Sequence, residues 1–129
     1  MTLSTIGAFI VFCVALLHAY WGFGGKFLAD KAVPTDDDGV PMFVPGKVAT
    51  FAVVAVLLVL AWAMVSSGVA AKVISGVFAL IFFARFVGDF NYAGMFKKHK
   101  NTEFARMDTL IYSPLCLFLA VCSCFAVLQ

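Results

Sequence analysis

The chain has 129 residues, of which 64% are hydrophobic and 12% charged, with a formal net charge of +2. A soluble domain of this size could not bury so much apolar surface, which excludes a water-borne globular protein. The small basic excess is too diffuse for a nucleic-acid surface.

Four apolar runs follow one another along the chain. The first, Leu3 to Gly25, contains no Asp, Glu, Lys or Arg. It differs from a cleavable signal because no basic residue precedes Leu3 and bulky Leu17 occupies the minus-three position upstream of Ala19. Phe12 before Cys13 likewise departs from a lipoprotein signal, so the run is read as a permanent span. The second run, Val48 to Ala71, is also uncharged, and the third, Val73 to Phe90, carries Arg85 and Asp89 near its end. The fourth is Thr109 to Gln129. A hydrocarbon core roughly 30 Å thick needs about 20 helical residues to cross it, and each run approaches or exceeds that length. None alternates with period two, as barrel strands do. The expected fold is therefore all-α: one domain over residues 1–129, a four-transmembrane-helix antiparallel bundle whose second connection is short and whose first and third are longer.

The first connection carries Lys26, Lys31 and Lys47, and the third carries Lys97, Lys98, Lys100 and Arg106. Only Lys72, beside Ser66-Ser67-Gly68, stands opposite. The positive-inside rule puts both long connections in the cytoplasm and both termini outside. The basic third connection is expected to be drawn to anionic headgroups.

Polar and aromatic residues collect at this same end. His18, Tyr20 and Trp21 close the first run, Arg85, Asp89, Asn91 and Tyr92 close the third, and Asp108, Tyr112 and Ser113 open the fourth. Alternating helix direction places all three groups on one face of the membrane. Arg85 is expensive inside a span unless paired. Asp89, one turn later on the same helical face, is its predicted partner. Either the two form a structural pair with Arg85 snorkelling, or the guanidinium turns inward to hold a carboxylate or phosphate. His18 is expected to donate to a backbone carbonyl or an aspartate. A proton-transfer role with Asp89 or Asp108 is the chemical alternative.

Tyr20, Trp21, Phe23 and Phe27 are read as one aromatic cluster, and Tyr92, Phe96 and Phe104 as another, both interfacial belts. Asp36-Asp37-Asp38-Gly39 lacks the remaining ligands of a calcium loop and reads as a solvated acidic turn. Pro114 removes one backbone hydrogen bond. Either Ser113 caps a helix beginning at Pro114 or the helix kinks there; a kinked helix beginning near Thr102 is expected, its early turns lying along the interface and placing Asp108 and Tyr112 against Arg85. Cys13, Cys116, Cys122 and Cys124 read as small apolar filling, with a disulfide from Cys13 to the fourth run left open. Neither a metal nor a cofactor site is expected, because no axial pair suits haem and His99 is too isolated to serve as a second ligand.

One combination of motifs spans almost the whole sequence. It comprises His18-x-Tyr20-Trp21-x-x-Gly24-Gly25, Pro45-Gly46, Arg85 with Gly88, and Gly94-x-Phe96-Lys97-Lys98. It ends in Thr102-x-Phe104-Ala105-x-x-Asp108-Thr109-x-x-Tyr112-Ser113-Pro114-Leu115-Cys116. This resembles a bacterial family of small four-helix integral membrane proteins of unknown function, the domain-of-unknown-function 3995 family. The resemblance implies four spans and no particular reaction.

Three functional classes fit the residues. The first is a non-catalytic accessory subunit or binder of an anionic amphiphile or membrane partner. The second is an intramembrane enzyme with His18, Asp89 or Asp108 as acid or base, and the third a small transporter, which lacks a mid-membrane charge or inverted repeat. The candidate site is His18, Tyr20, Trp21, Arg85, Asp89, Tyr92, Asp108, Tyr112 and Ser113. Expected partners are membrane lipids and a larger membrane complex or a second copy, with no nucleic acid.

Overall fold

A computed structural model describes residues 1–129. It contains four helices, each long and apolar enough to span a membrane: α1 Leu3–Gly22, α2 Lys47–Val65, α3 Val69–Val87 and α4 Glu103–Leu128. Thr2 caps α1, its hydroxyl accepting the Thr5 N–H at 3.2 Å. Thr102 does the same for α4, accepting from Ala105 at 3.0 Å. Each hydroxyl satisfies an N–H that lipid could not.

The second apolar run divides earlier than its composition suggests. Residues 66–68 form the turn, and Gly68 at φ +112° supplies a backbone geometry that a side chain would resist. Val69, Ala70 and Ala71 therefore begin α3. The third helix ends at Val87, three residues before the predicted limit, because Gly88 adopts φ +82°. The fourth starts well before Thr109, at its Thr102 cap, and covers 26 residues. Its α-helical first turn, Glu103–Met107, gives way to a π-helical segment, Asp108–Tyr112, before α geometry resumes at Ser113. Where a kink is expected from Pro114, the structure shows a π-helical turn directly before the proline, which has no N–H to complete the regular ladder.

The helices pack as two antiparallel pairs, α1 with α2 and α3 with α4. The pairs meet where α1 touches α4 and α2 touches α3. The core lies among α1, α2 and α4: Val11, Ala15, Leu60, Met64, Leu119 and Cys122 are buried there. Gly7 allows the close approach, since a Cβ on it would collide with Cys122 and Met64. α1 and α3 occupy diagonal positions, which limits what their polar ends can share. Both long connections lie at the same end; the first bonds to the start of α4 through Lys31 with Glu103 and to the third connection through Asp37 with His99. All four cysteines are free thiols.

Candidate functional site

Asp108 is the centre of the polar end. It is fully buried, and the π-helical segment carries it toward α3 and the third connection. Oδ1 accepts from Arg85 Nη2 at 2.8 Å and from the Ser113 hydroxyl at 3.1 Å. Oδ2 accepts from the Gly94 N–H at 2.8 Å and lies 3.2 Å from Lys97 Nζ. Three hydrogen-bond donors and one ammonium, from three stretches of chain, converge on one carboxylate. Such saturation is what makes a charge tolerable away from water.

Lys97 is the residue that sequence reasoning missed. In a run of Lys97, Lys98, His99 and Lys100 it reads as a surface charge, yet it is 2% exposed. Besides Asp108, its ammonium donates to the Gly94 carbonyl at 3.0 Å and to the Thr109 hydroxyl. The available signal was its place in the Gly94-x-Phe96-Lys97 motif, which ties it to a glycine required for close approach. Lys98 and Lys100 remain exposed.

The predicted Arg85–Asp89 pair is not formed. The chain leaves helical geometry at Gly88, so Asp89 is no longer one turn above Arg85 on a shared face. Its Oδ1 instead accepts the N–H groups of Asn91, Tyr92 and Ala93 at 2.9, 2.9 and 3.1 Å. Slight burial pushes the Asp89 carboxyl upward, but these backbone bonds outweigh it and hold the group below its ordinary value. The turn that results delivers Gly94 to Asp108. Gly88 and Gly94 touch there, and a Cβ on either would strike the other's backbone.

His18 stays with its own helix. Its Nδ1 donates to the Val14 carbonyl at 2.8 Å, and its ring meets the edge of Trp21 at 5.0 Å. No hydrogen bond or salt bridge joins it to Arg85, Asp89 or Asp108, consistent with the diagonal placement of α1 and α3. Tyr20 and Trp21 hold the start of the first connection: Trp21 Nε1 donates to the Phe27 carbonyl at 2.8 Å, and the Tyr20 hydroxyl accepts the Phe27 N–H at 3.3 Å. Tyr112 also turns to the first connection, donating to the Lys31 carbonyl at 2.9 Å rather than to the Arg85 cluster.

The second predicted aromatic cluster separates into pairs. Tyr92 stacks on His99 with ring centroids 4.3 Å apart, Phe96 meets Phe86, and buried Phe104 meets Tyr112. The acidic turn forms as expected, Asp36 Oδ1 accepting from Asp38 and Val40. His99 bonds Asp37 at 3.0 Å. The nine predicted residues thus form a buried node of Arg85, Asp108 and Ser113, completed by Gly94 and Lys97. Of the other six, Tyr20, Trp21, Asp89, Tyr92 and Tyr112 organise the connections around it, and His18 stays on α1.

The family model described as Protein of unknown function (DUF3995) matches residues 11–123. The chain belongs to this family. The matched stretch contains every residue of the Asp108 node, so the node lies within the family domain. No curated protein and no solved structure matches the chain.

Proposed function

We propose that this DUF3995 protein is a non-catalytic accessory or binding protein of the bacterial inner membrane. It engages an anionic amphiphile, or the acidic surface of a membrane partner, at the end that carries Arg85. The observation that carries this reading is the charge imbalance of the node: two cations, Arg85 and Lys97, face one buried carboxylate. The Arg85 side chain is about one-third exposed, and its Nη1, itself a buried atom, has no hydrogen-bond partner within the chain. A phosphate or carboxylate headgroup is the natural complement to a guanidinium with a donor to spare. Exposed Lys98, Lys100 and Arg106 strengthen the local attraction for anionic lipid.

The filled coordination of Asp108 favours a binding role over acid–base catalysis. Oδ1 already accepts two hydrogen bonds, and Oδ2 accepts one and is paired with the Lys97 ammonium, leaving the carboxylate poorly placed to take a proton from a substrate. The remaining excess of base on the two long connections supports a cytoplasmic placement for that end.

The test is native mass spectrometry of protein extracted in mild detergent and exposed to phosphatidylglycerol or phosphatidylcholine. Phosphatidylglycerol should be retained preferentially. Arg85→Lys, which keeps the charge and removes the fork, should weaken that preference, whereas Lys72→Gln at the opposite end should not. Equal retention of both lipids, together with no co-extracted polypeptide in fixed ratio, would overturn the proposal.

A further inference from the structure

The first connection exposes an unusual amount of apolar surface for a segment outside the spans. Phe23 is 82% exposed, Phe27 69%, Phe43 57% and Val44 87%, with Met42 beside them. Two features fix the height of these side chains relative to the helices. On one side, Phe23 caps α1 and its ring meets Phe51 of α2 at 5.1 Å. Phe27 is bound back to the last turn of α1 by its bonds to Tyr20 and Trp21. On the other side, Val44 stands three residues before Lys47, the first residue of α2. Even a fully extended chain separates them by no more than about 10 Å. Both ends of the connection therefore lie near the headgroup layer, which begins where the hydrocarbon core ends.

Between these feet the chain forms a small hairpin that reaches the third connection through Asp37 and His99. Thr35 bridges Pro41, Asp36 accepts the Asp38 and Val40 N–H groups, and Gly39 turns at φ +80°. The tip carries Asp37 and Asp38, both exposed, and the return leg carries Met42, Phe43 and Val44. The connection is thus amphipathic by segment: an acidic tip and two apolar feet, with Lys26 and Lys47 next to the feet.

We propose that the first connection is an interfacial anchor, its feet at Phe23 and Phe27 and at Met42, Phe43 and Val44 seated in the lipid headgroup and acyl boundary while the 36–39 tip stands in water. The partner is the bilayer itself, because the exposed feet directly adjoin the ends of α1 and α2, two helices long and apolar enough to span it. The flanking lysines suit anionic headgroups, whereas the acidic tip is repelled by them. This role is independent of ligand binding at Arg85. It keeps the connection lying over the membrane surface, where Lys31 and Asp37 can hold Glu103 and His99.

Spin-label depth measurements in phosphatidylcholine and phosphatidylglycerol vesicles test it, using Phe27→Cys, Phe43→Cys and Asp38→Cys in a background lacking the four native cysteines. Labels at 27 and 43 should collide more with oxygen than with a water-soluble nickel chelate, and the ratio should invert at 38. Chelate access at 27 and 43 equal to that at 38 would overturn the proposal. So would shielding of 27 and 43 from both reagents, the mark of a protein partner or second copy. The unaltered chain gives a second measurement: a lipid bearing a photoreactive group in its upper acyl chain should label residues 23–27 and 42–44 and spare 36–39. Labelling confined to the four helices would equally overturn it.

Discussion

The two ends of the bundle are held by different physics. At the end that carries the long connections, one buried carboxylate gathers an arginine, a lysine, a serine and a backbone N–H from α3, α4 and the loop between them. At the other, a three-residue turn, close steric fit and a single polar bond across the helices serve: Gly7 against Cys122 and Met64 brings α1, α2 and α4 together, and Gln129 donates to the buried Ser4 hydroxyl. A long loop over a bilayer needs polar bonds to define its shape, whereas a short turn is defined by the helices it joins. Substitutions and changes of pH and salt separate these two modes.

The largest effect is expected at Asp108. Asp108→Ala leaves Arg85 and buried Lys97 without their shared partner and should cost about 3–5 kcal/mol, read by reversible unfolding in mixed micelles. A loss below about 1 kcal/mol would mean that the node contributes little net stability. At the far end, Gly7→Val overfills the contact between helices and should cost about 1–3 kcal/mol by the same measurement while leaving the Asp108 node intact. Gly88→Ala must take a positive φ and displace Gly94, so a loss above about 1 kcal/mol is expected. It should be accompanied by faster hydrogen exchange at Gly94.

The smallest effects belong to the exposed bonds of the connections, and pH separates them. Asp89 has a lowered pKa, so its contribution is complete above the ordinary value of 3.8 and is lost as pH falls through the folded value. Exchange at Asn91, Tyr92 and Ala93 should quicken in acid, an effect Asp89→Asn should mimic at neutral pH. Lys31 has a raised pKa because Glu103 bonds and attracts it. Its contribution is present below 10.5 and disappears as pH rises through the folded value. High salt should loosen this exposed pair and leave the buried Asp108 node unchanged, which limited proteolysis of the first connection would reveal.

The architecture was legible in the sequence because membrane crossing is a requirement on length and polarity, both of which are local properties. The meeting of Arg85 with Asp108 was legible too, since antiparallel neighbours bring the end of α3 to the start of α4. The Arg85–Asp89 pair failed because periodicity assumes an unbroken helix, and Gly88 breaks this one. His18 was drawn into the site by its depth along α1, but equal depth on diagonal helices does not produce contact.

What the sequence determined by itself was the solvent, the number of spans and the end at which the ionisable groups collect, all fixed by the placement of apolar and charged residues along the chain. Only the tertiary structure decided which charges meet. Burial of Lys97 depends on a loop folded by Asp89, a contact between two glycines and a π-helical turn in α4. These elements act on one another through space, and no single stretch of sequence contains the result.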